Sequence, residues 1–137
     1  MYPLELVKPM ESELLMAGFE SLTDEQEVEK ALSDKEGTML LMVNSVCGCA
    51  AAHARPGVRM ALESGKAPEK LYTVFAGVDR EATAKAREFL APYPPSSPSI
   101  ALFKNGELVH MIERYQIEGR NADIVAANLK MAFDTYC

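Results

Sequence analysis

Two cysteines flanking a single glycine, Cys47-Gly48-Cys49, are the residues of this chain best suited to chemistry. Sulfur reacts as the thiolate, and a second thiol two positions on permits a second exchange step, because the usual Cα separation in a disulfide overlaps the span of an i, i+2 pair in a tight turn. The ring so closed is small and strained. Strain makes a disulfide labile, which suits exchange or isomerisation better than strong reduction. The same residues leave a metal reading open: Cys47, Cys49 and His53, with Cys137 as a further thiol, offer soft or borderline ligands for a metal carrier or iron-sulfur scaffold. A closed zinc site takes four ligands, and locally only three are present. Taken alone, His53 reads as an ordinary helix residue and Arg55 as a solvated surface arginine. Cys137 is expected on a frayed end, with exchange open to it if it reaches the site.

The chemistry depends on what holds Cys47. Thr38 to Asn44 is an almost unbroken apolar run of strand length, the pattern of a central strand covered on both faces. Ala50, Ala51, Ala52 and Ala54 then begin a helix that runs through Val58 and Leu62 to Gly65, with Pro56 expected to kink it. A thiol between such a strand and helix sits at the positive helix N-terminus, where the dipole and free N–H groups lower its pKa.

Around this unit, Thr23-Asp24-Glu25-Gln26 matches a capping box and predicts a helix over about Asp24 to Ser33. Leu71 to Ala76 reads as a strand, and Asp79 as the cap of a helix carrying Ala82, Ala86, Phe89 and Leu90. After the interruptions at Pro92, Pro94, Pro95 and Pro98, Asn105-Gly106 between two apolar runs signals a β-hairpin. A final helix from about Asn121 carries Ile124, Val125, Leu129, Ala132 and Phe133 as one stripe. The order α, β, α, β, α, β, β, α implies an α/β domain with a four-stranded mixed sheet flanked by helices, in which 38–44 and 71–76 run parallel. Residues 1–20 read as an N-terminal extension and 21–137 as the core. The methionines, Met16 and Met131 among them, read as core filler.

Composition narrows the class further. A length of 137 residues suits one domain, and 48% hydrophobic with 25% charged residues is an ordinary globular balance. A net charge of -6 without a basic cluster argues against nucleic acid, and the longest apolar run, Met39 to Val43, is too short to span a bilayer. No secretory signal is read at the N-terminus, so the cytoplasm is the expected location, and three cysteines there do not form a disulfide framework.

The layout resembles the thioredoxin superfamily. The cysteine pair opens a helix with a proline about two turns in, and Pro98-Ser99-Ile100 before Phe103-Lys104-Asn105-Gly106 is similar to that superfamily's cis-proline and hairpin. Without the resemblance, Pro98 reads equally as trans in a surface turn. Ordinary thioredoxins have two residues between their cysteines and a tryptophan before them; here there is one glycine, Val46 in front and no Trp. Asn44-Ser45-Val46-Cys47-Gly48-Cys49-Ala50-Ala51, Arg55-Pro56, Val74-Phe75-Ala76-Gly77, Glu81-Ala82-Thr83-Ala84-Lys85, Ser96-Ser97-Pro98-Ser99 and Cys137 together closely resemble the bacilliredoxins. That resemblance implies a thioredoxin-like fold and removal of the small thiol bacillithiol from mixed disulfides on client proteins. It further implies Cys47 as nucleophile, Cys49 as resolving thiol, and Pro98, Gly48 and Ser97 facing the incoming disulfide. Bacillithiol would be the co-substrate, with no bound cofactor or metal.

Overall fold

Each strand of a sheet sends alternate side chains to opposite faces, and the seven residues of β2 (Thr38–Asn44) are buried on both. Leu40 and Met42 enter one apolar cluster, and Met39, Leu41 and Val43 enter the other. The structure is a computed structural model and describes residues 2–63 and 65–137. Its sheet has five strands in the order β1 (Glu20–Ser21), β3 (Lys70–Phe75), β2, β4 (Ser99–Lys104), β5 (Glu107–Ile112). β2 is central, as its unbroken apolar run predicts. β1 and β2 both pair with β3 in parallel, while β2–β4 and β4–β5 are antiparallel. The sheet thus has one strand more than expected, because β1 is two residues long and leaves no periodic signal.

Helices cover both faces. On the Leu40 side lie α1 (Leu4–Leu15), α3 (Arg55–Leu62) and α6 (Ala122–Tyr136), represented in the core by Leu14, Val58 and Leu129. On the Leu41 side lie α2 (Glu25–Leu32) and α4 (Arg80–Glu88), represented by Val28 and Ala86. Full burial of each leucine is worth about 1.5–3 kcal/mol, so both clusters contribute substantially. α1 has no counterpart in the expected element order, yet Leu14 and Phe19 of the first twenty residues belong to the core.

Local chemistry moves several boundaries. The N-cap of α2 is Asp24, whose carboxylate accepts from the Glu27 N–H, while Glu27 reaches back to the Thr23 N–H; the expected Thr23–Gln26 box is displaced by one residue. Asn121 caps α6 by accepting from the Ile124 N–H, but Ile124 itself is exposed and Ala126 completes the buried stripe. Met16 and Met131 lie on the surface, not in the core. The hairpin turns at Asn105-Gly106, both with positive φ, as an Asn-Gly loop requires. Where α3 crosses α6 the contact is close: a Cβ on Gly57 would lie 2.7 Å from Val125.

Pro56 does not kink a continuous helix. The chain forms a π-helical turn over Ala50–Ala54 and then enters α3, with Pro56 in its first turn where no N–H is needed. A wide turn of this type frequently marks a functional segment. It follows directly on the cysteines.

Candidate active site

Past the end of β2, Ser45 bends the chain toward the first helical turn. Its Oγ accepts from the Cys47 N–H at 3.2 Å, and its hydroxyl donates to Cys47 Sγ at the same distance. The Cys47 carbonyl accepts from the N–H groups of Ala50 and Ala51, at 3.1 and 3.3 Å. Cys47 therefore stands at the start of the helical stretch, where unpaired N–H groups gather. Cys49 lies two residues on, and its sulfur is 2.8 Å from that of Cys47. Both are free thiols and half-buried. A disulfide needs about 2.05 Å, so a small approach closes the bond. Gly48 is exposed, and nothing packs where its Cβ would stand.

The two sulfurs differ in acidity. Burial works to raise the Cys47 pKa, but hydrogen bonds from the Cys49 thiol, the Ser45 hydroxyl and the N–H groups of Ala50 and Cys49 together bring it below the ordinary thiol value. Cys49 is pushed up to about 11 by burial, by its hydrogen bond to Cys47 and by the Cys47 charge, against a smaller opposing pull from Arg114. One proton shared by the pair therefore rests on Cys49. Of the two, Cys47 is the sulfur whose charged form is favoured.

The loop ahead of Cys47 is held from below by Arg55, which is 1% exposed and not the solvated residue expected. Its Nε donates to Glu13 Oε2 at 2.8 Å, and its Nη1 donates to Asn44 Oδ1 at 2.9 Å and the Ser45 carbonyl at 3.0 Å. Asn44 Oδ1 also accepts from the Ser45 N–H. A guanidinium suits the place because its planar fork satisfies acceptors in several directions.

A cavity of about 320 Å³ opens beside Cys47, lined also by Ser45, Ser97, Arg87 and Arg114. Ser97–Pro98 is a cis peptide bond, as is Ala91–Pro92. Pro98 is buried at the head of β4, where Ser99 pairs with Val43. Arg114 opens the short α5 (Arg114–Ile117), which a reciprocal Glu113–Gln116 capping box holds in place. Arg114 Nη1 donates to the Ser97 carbonyl at 3.0 Å, and its Nε donates to Glu118 at 2.5 Å.

A model of the disulphide isomerase family matches residues 2–137. A bacilliredoxin of Cytophaga hutchinsonii is 60% identical over 134 residues, covering 98% of both chains. One from Bacillus licheniformis is 53% identical over 137 residues, covering 99% of this chain and 95% of its own. The chain belongs to the bacilliredoxin family. Among solved structures, the backbone is similar to a putative oxidoreductase with a thioredoxin fold, at TM-score 0.61 and 17% identity over 82% of this chain and 90% of that one. It is also similar to oxidised thioredoxin O2 of Arabidopsis thaliana, at TM-score 0.56 and 18% identity over 89% and 97% of the two chains. The fold is thioredoxin-like, and the protein is a thiol-disulfide oxidoreductase.

In this bacilliredoxin-family chain the expected site residues divide by position. Cys47, Ser97 and, at the opening of the helix, Gly48 and Cys49 share one end of β2, with Pro98 behind them. Cys137 does not join them. It lies against Thr38 at the other end of β2. Half-buried His53 sits on the π turn with Nδ1 unbonded, and among the described residues no group of three or more His, Cys, Asp or Glu is placed to hold a metal. Among these residues no helix is long and apolar enough to cross a membrane. Sequence reasoning places Arg55 on the surface and passes over Arg87 and Arg114. For Arg55 a signal existed, since it stands three residues before buried Val58 on the inward stripe of α3; the two lining the cavity carry none.

Proposed function

We propose that the protein removes bacillithiol from mixed disulfides on client proteins, with Cys47 as nucleophile and Cys49 as resolving thiol. The observation that carries this reading is the acidity split between two sulfurs 2.8 Å apart. The Cys47 thiolate attacks the bacillithiol sulfur, the client's sulfur leaves as thiolate, and bacillithiol stays bonded to Cys47. That step removes the Cys47 charge and its hydrogen-bond acceptance, two of the causes that hold the proton on Cys49. Arg114, whose charge favours the Cys49 thiolate, then acts with less opposition. Cys49 gives its proton to solvent, attacks Cys47 Sγ and expels bacillithiol as thiolate, closing the Cys47–Cys49 disulfide; by the other route a second bacillithiol thiolate attacks the bound bacillithiol's sulfur, forming bacillithiol disulfide and releasing Cys47 as thiolate. The order of events is thus built into the charge of the pair.

The cavity next to Cys47, with Ser97 on its wall and Pro98 behind, is where the incoming disulfide would lie. Exposed Gly48 leaves the approach to both sulfurs open. The cytoplasm suits this activity, because a reducing thiol pool is needed to return the pair to dithiol. Cys49→Ser keeps a donor beside Cys47 but blocks resolution. Mixed with a bacillithiolated client, this variant is expected to accumulate one bacillithiol on Cys47, read by peptide mass spectrometry. An adduct on Cys49→Ser found only at Cys137, or none, overturns the assignment.

A further inference from the structure

The cavity beside Cys47 is basic in an acidic protein. The chain carries 20 Asp and Glu against 14 Lys and Arg, yet two arginines, Arg87 from α4 and Arg114 from α5, line this cavity and no carboxylate does. Arg114 is held in place through Nε and Nη1, as described above. Arg87 is different. Its Nε is shielded from solvent without a hydrogen-bond partner, and among the described residues it forms no ion pair. Shielding a guanidinium nitrogen from water without an acceptor is costly, and this partial burial lowers the Arg87 pKa from its ordinary value. Neither thiol counts Arg87 among the groups that shift it.

We propose that Arg87 and Arg114 form an anion subsite that binds carboxylate groups of the small thiol while its sulfur reacts at Cys47. This rests on the reading that Cys47 carries that thiol. The volume, about 320 Å³, is at the lower end of small-molecule sites and suits the small thiol better than a folded client. A ligand carboxylate in the cavity meets a guanidinium that has no ion-pair partner among the described residues, and guanidinium-carboxylate pairs are strong, directional contacts. Two arginines from separate helices match a thiol bearing more than one carboxylate. Tyr2, packed near Gly77, also lines the cavity.

The test uses the Cys49→Ser protein and two probes, the symmetric disulfides of mercaptosuccinate and of 2-mercaptoethanol. Rate constants for adduct formation at Cys47 are followed by mass spectrometry, and the quantity read is the ratio of the anionic to the neutral probe. Arg87→Gln and Arg114→Gln are each expected to lower that ratio about tenfold, the scale of one charged hydrogen bond. Arg87→Lys is expected to restore part of it. If both glutamine variants keep the parental ratio, the subsite is overturned even though Cys47 still reacts. Should the parent form no adduct with either probe, the Cys47 reading itself fails and takes the subsite with it.

Discussion

A thiolate and a thiol in contact are unequal partners, and the inequality here comes from small groups within one turn of chain. Ser45 contributes through a single hydroxyl, which donates to Cys47 Sγ. Because these bonds favour the charged sulfur, Cys47 stays ionised as the pH falls below the ordinary thiol value and loses its reactivity only on passing its own lowered pKa. Ser45→Ala is expected to move the midpoint of the iodoacetamide alkylation profile of Cys47 upward and to slow alkylation at pH 7 several-fold. A midpoint that stays put would remove the hydroxyl from the account. Cys49 should resist labelling until the pH approaches its raised value of about 11.

Between elements, Arg55 is the tie. It joins α3 to Glu13 of α1 and to Asn44 and Ser45 at the end of β2, so three elements fix the approach to Cys47 through one guanidinium. Removing one member of a buried pair costs about 3–5 kcal/mol, and since the Glu13 side chain is 37% exposed, Arg55→Ala should fall at about 3. Urea unfolding is expected to show that loss, with Arg55→Lys recovering less than half because an ammonium cannot reproduce the fork. Full recovery by lysine would mean that charge alone matters there. Gly57, two residues on, lets α3 approach α6 closely.

Across the whole molecule, β2 separates the two places where cysteine thiols are found. Cys47 follows its carboxyl end, and Cys137 lies by Thr38 at its start. Seven strand residues span roughly 20 Å, a distance no cysteine side chain crosses. Burial also raises the Cys137 pKa, against smaller opposing pulls from Thr38, Lys104 and Lys66, away from the reactive range. Cys137→Ser should therefore turn over mixed disulfides at the parental rate, within about twofold of it by stopped-flow or gel assay. A larger loss would show that the C-terminal thiol takes part, by exchange between molecules.

The elements that carry strong local signals were legible without coordinates. The central strand, the hairpin at Asn105-Gly106, the cap at Asn121 and the strand-to-helix position of Cys47 all follow from patterns within a few residues of one another. The resemblance of Pro98-Ser99-Ile100 and the hairpin after it to the thioredoxin superfamily also anticipates cis Pro98. Two-residue β1, amphipathic α1 and the π turn before Pro56 were not read, because too few bonds or too weak a period mark them. The residues missed around the sulfurs share a cause. Arg55 looks solvated until Glu13 and Asn44, forty-two and eleven positions away, close over it, and Arg87 and Arg114 acquire meaning only when two helices bring them to one cavity. Sequence determined which sulfurs stand at the helix start, and acidity there is a local effect of a few N–H groups and hydroxyls. Tertiary structure alone decided what surrounds them, because charge and burial act through space and ignore the order of the chain.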